Sequence, residues 1–304
     1  MKRFYIAVLL FMLPIFVFMG AAEYAVRHIP NEYKYKNDWM DQHSEEVETL
    51  ILGNSHTAAG INPAFIGDKV FNLSLSGQDY MYSHYLFFKW RNRYKNLKTV
   101  IIPVSYFSFY QKIIGDNSAV MIELYYRIYM DCPFHKFSVA YNFESWNYNS
   151  FLYKIRKYLE GRSIEWRVDG WSPWLLSKKS PVWNAEHVNK SLARMYLARS
   201  FKDVSCNYNY ISDIADFCYL HKIKLILVST PQTKEYNMCL NRNQIKNTEQ
   251  LVQNIVQKYC ADYYDYRDDK RFLYEDYCDQ SHLSEIGAEK FTKLLMADIQ
   301  TKDN

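Results

Sequence analysis

Chain-breaking residues are scarce, with 9 Gly and 8 Pro in 304 positions, which excludes collagen-like and Gly/Pro-rich low-complexity structure. There is no long run of Lys or Arg, and 37 basic against 33 acidic side chains leave a net charge of only +4. The electrostatic footprint of a nucleic-acid binder is therefore missing. Six cysteines (Cys132, Cys206, Cys218, Cys239, Cys260, Cys278) form no C-x-x-C pair, so zinc and thioredoxin-like readings lack support and no metal is expected. An even count permits disulfides in an oxidising compartment, and free buried thiols fit equally well. No repeat of 20 to 50 residues is evident. What is abundant is aromatic: 17% of residues, with 28 Tyr, 18 Phe and 7 Trp.

Behind Lys2 and Arg3 the chain is uncharged from Phe4 to Ala22. At about 1.5 Å rise per residue this run spans roughly 28 Å, close to a bilayer core. Residues 1–22 thus read as a transmembrane anchor or signal peptide, 23–45 as a juxtamembrane linker and 46–300 as the main folded domain. Gly20-Ala21-Ala22 offers a cleavage site, yet the run exceeds a usual signal-peptide core, so an uncleaved anchor is the preferred reading. Cleavage would give a secreted protein. Basic residues in front of the run place everything after about residue 23 outside the cytoplasm, in the periplasm or on the cell surface.

Along the domain, ETLILG (48–53), Val70–Leu73, TVIIPV (99–104) and KIKLILVST (222–230) read as buried strands, with 262–266 as a fifth. Residues 80–94, 204–220, 241–259 and 284–299 carry helical spacing. This alternation predicts an α/β three-layer sandwich with a mostly parallel sheet. From about 115 to 200 the rhythm breaks, and five tryptophans (Trp146, Trp166, Trp171, Trp174, Trp183) gather in what reads as an insertion. Such rings suit a sugar platform, an internal packing layer or a membrane interface.

Ligands of open parallel sheets bind at the carboxyl ends of strands, where Gly53-Asn54-Ser55-His56-Thr57 falls. A serine hydroxyl needs a base in reach and a group that orients the base. Asp279 and His282, three apart before the last helix, supply both, giving the chain order Ser, Asp, His. Ser55 could instead cap the following helix, and Asp279 with His282 could simply stabilise their loop. His56 is expected to point away from Ser55 as a structural or substrate-contacting residue. His28, His43, His84, His135, His187 and His221 lack an acidic partner at a telling spacing.

These residues resemble the SGNH (GDSL-like) hydrolase superfamily over roughly 46–300. The likeness rests on strand-then-Gly-x-Ser, the block Asn72-Leu73-Ser74-Leu75-Ser76-Gly77, the third strand, and Asp279-x-x-His282. The resemblance implies a flavodoxin-like sheet, Ser55 as nucleophile, His282 as general acid–base, Asp279 as its orienter, and backbone N–H groups of Ser55 and Gly77 as oxyanion donors. Asn54 stands where that family usually has Asp, and the Gly-x-Asn-Asp of its third block is replaced by Pro103-Val104-Ser105-Tyr106. Asn54, His56, Asn72 and Ser105 are thus the candidates for oxyanion or substrate support. The anchor together with Gly-Asn-Ser-His-Thr resembles the membrane-anchored branch of alginate O-acetylation and teichoic acid D-alanylation. That likeness implies acyl, above all acetyl, transfer to a cell-envelope glycan or polysaccharide through an acyl-enzyme. It also implies a membrane-bound O-acyltransferase as partner, and no cofactor. A deacetylating carbohydrate esterase, or a silent glycan-binding or assembly protein on the same fold, are the alternatives.

Overall fold

The structure, a computed structural model, describes residues 1–115, 119–133, 142–162, 164–179, 186–190, 192 and 204–303. Trp183 and His135 lie outside the described residues. The chain opens with α1 (Lys2–His28) and α2 (Glu32–His43), then alternates β1 (Thr49–Ile51), α3 (Ser55–Gly60), β2 (Val70–Asn72), α4 (Tyr80–Lys89) and β3 (Thr99–Pro103). Helices α5 (Val120–Tyr129) and α6 (Tyr148–Leu159) follow. Alternation then resumes with α7 (Ser205–Leu220), β4 (Lys224–Ser229), α8 (Lys234–Cys239), α9 (Arg242–Tyr259), β5 (Asp262–Asp265) and α10 (Glu285–Asp303). Residues 23–45, expected as a linker, form the end of α1 and all of α2.

Two compact units emerge: Met1–Asp38 with Asn117–Glu165, and Trp39–Asp116 with Trp166–Asn304. The second holds a five-stranded sheet of order β2-β1-β3-β4-β5 in which every neighbouring pair is parallel. Parallel strands are covered on both faces and must be apolar throughout, which is why β4 (KLILVS) buries five residues in succession. Ile51, Ile101, Ile226 and Val228 of the strands meet Phe291, Leu295 and Ile299 of α10 in one cluster. The strand order turns around β1, so the crevice at the carboxyl ends of β1 and β3 is the topological switch point where such sheets take their ligands.

In the first unit, α1 is long and apolar enough to cross a bilayer. Its last turns are fastened to distant chain: the Glu23 carboxylate accepts the backbone N–H groups of Glu144 (3.1 Å) and Ser145 (2.8 Å), and Arg27 donates to the Asn142 carbonyl (2.8 Å). Part of the tyrosine excess is packing. Tyr33 meets Tyr125 and Tyr126 edge-on, each at 5.2 Å. Lys154 of α6 is buried with Glu144 (3.0 Å) and the Tyr129 hydroxyl (2.6 Å), and that hydroxyl also donates to Glu144. A buried ammonium is tolerated only when paired in this way.

Candidate active site

The first strand delivers the serine through a bend that only glycine permits. Gly53 has φ +125°, and a Cβ there would sit 2.2 Å from Cδ and Cγ of Pro103 on β3. Asn54, not Ser55, caps α3: its Oδ1 accepts the His56 N–H at 3.0 Å. The Ser55 hydroxyl is thereby left for another partner, and Nε2 of His282 stands 2.8 Å from it.

His282 rides on a closed loop. Cys278 N–H bonds to the His282 carbonyl (3.0 Å), Tyr277 bridges to Leu283, and both the N–H and the hydroxyl of Thr233 bond to the Gln280 carbonyl. Both Asp279 oxygens lie 2.9 Å from Nδ1 of His282, and Oδ1 also accepts the N–H groups of Ser281 (2.9 Å) and His282 (3.0 Å). Burial opposes charge on Asp279, but the adjoining imidazole and these N–H groups outweigh it and hold the carboxyl below its ordinary range. An ionised Asp279 requires the proton on Nδ1, so Nε2 is the acceptor for the Ser55 hydroxyl. Ser55, Asp279 and His282 are therefore brought together as a hydrogen-bonded chain in the order a base-activated nucleophile demands.

Behind this chain lies a second one. Asn54 Nδ2 donates to Ser105 Oγ (3.0 Å), which stands 2.9 Å from Nδ1 of His56. The alternative acceptor for the Ser105 proton, Asn54 Oδ1, is farther away at 3.4 Å. Ser105 Oγ and His56 Nδ1 thus share one hydrogen bond beside the nucleophile candidate. Burial, reinforced by His282, pushes the His56 imidazole down to about 3, so it stays neutral. Its ring bonds Ser105 rather than Ser55, and it meets the His282 ring edge-on at 5.1 Å and Phe107 at 5.5 Å.

Ser105 is 2% exposed and Asn72 is fully buried. Asn72 differs from the expectation of substrate support. Its Nδ2 donates to the carbonyls of Thr57 (2.9 Å) and Ile61 (3.0 Å), and its Oδ1 accepts the Ser74 N–H (3.1 Å), so it braces α3 against β2. Gly77 adopts φ +78°, and its carbonyl is held by Gln111 Nε2 at 3.0 Å. Among the described residues the N–H groups of Ser55 and Gly77 have no hydrogen-bond acceptor.

One site residue escaped the sequence reading. Trp174 stacks on the His282 ring at 3.7 Å and 23°. Its carbonyl is held by Glu285 N–H (3.1 Å) and Cys278 Sγ (3.1 Å). The ring limits rotation of the imidazole. Nothing local distinguishes Trp174 from Trp166 or Trp171; only the tertiary fold does. Trp171 itself is buried, with Nε1 bonded to the Ala59 carbonyl (2.8 Å). All six cysteines are free thiols. A cavity of about 520 Å³ lined by Lys234, Arg242, Glu249, Arg267 and neighbours does not include the Ser–His–Asp chain in its wall.

No family model matches the sequence, and no curated protein does. Among solved structures, the chain is similar to a GDSL-like lipase from Bacteroides thetaiotaomicron, with TM-score 0.40, 11% identity, and 90% of this chain and 98% of that one covered. It is also similar to the lipase/acylhydrolase from Enterococcus faecalis, with TM-score 0.35, 11% identity, and coverage of 84% of this chain and 97% of that one.

Proposed function

We propose that this chain is a membrane-anchored, extracytoplasmic member of the SGNH (GDSL-like) group that transfers an acyl group, acetyl above all, to a cell-envelope glycan. The observation that carries the reading is the chain Ser55 Oγ, His282 Nε2 at 2.8 Å, and His282 Nδ1 to Asp279 at 2.9 Å. In the first half-reaction Ser55 Oγ attacks the acyl carbonyl while His282 takes its proton, and Asp279 steadies the imidazolium. The N–H groups of Ser55 and Gly77 receive the oxyanion. As the tetrahedral adduct collapses, His282 returns the proton to the leaving oxygen. The acyl-Ser55 ester then passes to a sugar hydroxyl by the same steps in reverse order. The anchor favours transfer over hydrolysis, since an acyl donor handed across the bilayer by a membrane-bound O-acyltransferase partner is met at the membrane surface.

The test is intact-mass spectrometry of the full chain in detergent after exposure to an activated acetyl ester. A gain of one acetyl group, absent in Ser55→Ala and strongly slowed in His282→Ala, is the expected result. No adduct and no ester turnover would overturn the enzyme reading in favour of a silent glycan-binding protein. Turnover unchanged by added glycan would make the chain an esterase.

A further inference from the structure

The first unit presents an apolar face that its own packing leaves unused. Phe143, Trp146, Tyr148, Leu152 and Leu159 are exposed, from 43% for Leu152 to 78% for Leu159, whereas Ser150 and Lys154 on the opposite side of α6 are buried. A contiguous group of this kind on one short helix and the turn before it marks an interaction surface. The helix itself has no acidic residue, and it carries Arg156 and Lys157 beside Tyr153 and Tyr158, each cation paired to a carboxylate just past the helix end: Arg156 to Glu160 (2.8 Å) and Lys157 to Glu165. Exposed Trp and Tyr rings beside paired charges are the composition of segments that lie in a lipid headgroup layer, where one end of the ring is apolar and the other wet.

The position of this face along α1 selects the occupant. The uncharged run of α1 closes at Ala22, and the next residue, Glu23, holds the backbone of Glu144 and Ser145 through its carboxylate. Arg27, one turn further, holds Asn142. Residues 142–145 are thus tied by direct hydrogen bonds to the level at which the apolar surface of α1 ends. That level is the boundary between hydrocarbon and headgroups for a spanning helix of this length. A chain pinned there cannot expose Trp146 and Tyr148 without exposing them to that boundary.

We propose that α6 and the Phe143–Trp146 turn dock on the headgroup layer of a bilayer, giving the protein a second membrane contact beside α1. The inference rests on the anchor reading above. Full-length chain in lipid nanodiscs, with the exposed Cys206 and Cys260 replaced by Ser, provides the test. A nitrobenzoxadiazole probe is attached at Leu152→Cys or at Leu10→Cys and quenched by nitroxide lipids labelled either near the headgroup or deep in the acyl chain. The probe at 152 should be quenched most by the shallow nitroxide, about 5–10 Å below the surface, and the probe at 10 by the deep one. A water-like, unquenched probe at 152 with a deep probe at 10 overturns the docking and leaves the anchor standing. Water-like probes at both positions overturn the anchor and the docking together. A probe at 152 that is shielded from water yet blind to both nitroxides shows a second copy or another protein on the face, which also overturns the proposal.

Discussion

Replacing Gly53 by alanine tests whether the bend that presents Ser55 is as constrained as its surroundings indicate. The new Cβ would lie 2.2 Å from Cδ and Cγ of Pro103 and 3.0 Å from Oγ1 of Thr57. Carbon atoms in contact stand about 3.5–4.0 Å apart, so β1 and β3 must part by more than about 1 Å at the ends that carry Ser55 and Ser105. Overpacking of this order costs about 1–3 kcal/mol, and a non-glycine residue at φ +125° adds about 1–3 kcal/mol. Gly53→Ala should therefore lose about 2–6 kcal/mol in urea unfolding of the full chain in detergent. A displacement of about 1 Å at a nucleophile costs on the order of 100-fold in rate, and fluorophosphonate labelling of Ser55 should slow accordingly. Adding Pro103→Ala removes the two struck carbons and should return the packing share while leaving the backbone share. Wild-type stability and labelling in Gly53→Ala, or a double variant no better than the single, would refute the argument.

Two further outcomes follow from buried groups. Because the folded value of His56 lies below the 6.5 of a free imidazole, its contribution is intact above pH 6.5 and drains away towards pH 3, by about 1.4 kcal/mol per pH unit. His56→Gln lacks this term, so its unfolding free energy should fall less steeply between pH 6.5 and 4; parallel profiles would contradict a neutral buried imidazole. Lys154→Met strands Glu144 in the interior and should cost about 3–5 kcal/mol, most of it returned by adding Glu144→Leu. Thermal melts of the two variants read this directly, and equal losses would show that the pair is not the cause.

The strands were legible because a parallel sheet covered on both faces demands apolar runs, and TLI, VFN, TVIIP and KLILVS can hardly be read otherwise. The hydrogen-bonded set Ser55, His282 and Asp279 was legible because its members sit at a strand end and on one loop, where order and spacing carry meaning. Contacts that join far-separated residues were hidden. Nothing near Glu23 announces that its partners lie at 144 and 145, so the rhythm break at 115–200 read as one insertion. The structure gives 117–165 to the unit with α1 and 166–179 to the unit with the sheet. Asn72 and His56 show the same limit from the other side. Both are polar residues beside a nucleophile, and only their hydrogen bonds separate a brace between elements from a ring held against His282.

Ser55 and the imidazole that bonds it lie 227 positions apart. A ribosome adding about 5–20 residues per second needs roughly 10–45 s to cover that distance. Through that interval the nascent chain already carries Gly53, Asn54 and Ser55, yet its hydroxyl has no base. Only when the loop from Tyr277 to Leu283 is made and seated on Thr233 does the serine acquire its proton acceptor. The hydrogen-bonded chain of Ser55, His282 and Asp279 thus exists only once the last strand, its loop and the sheet domain are complete.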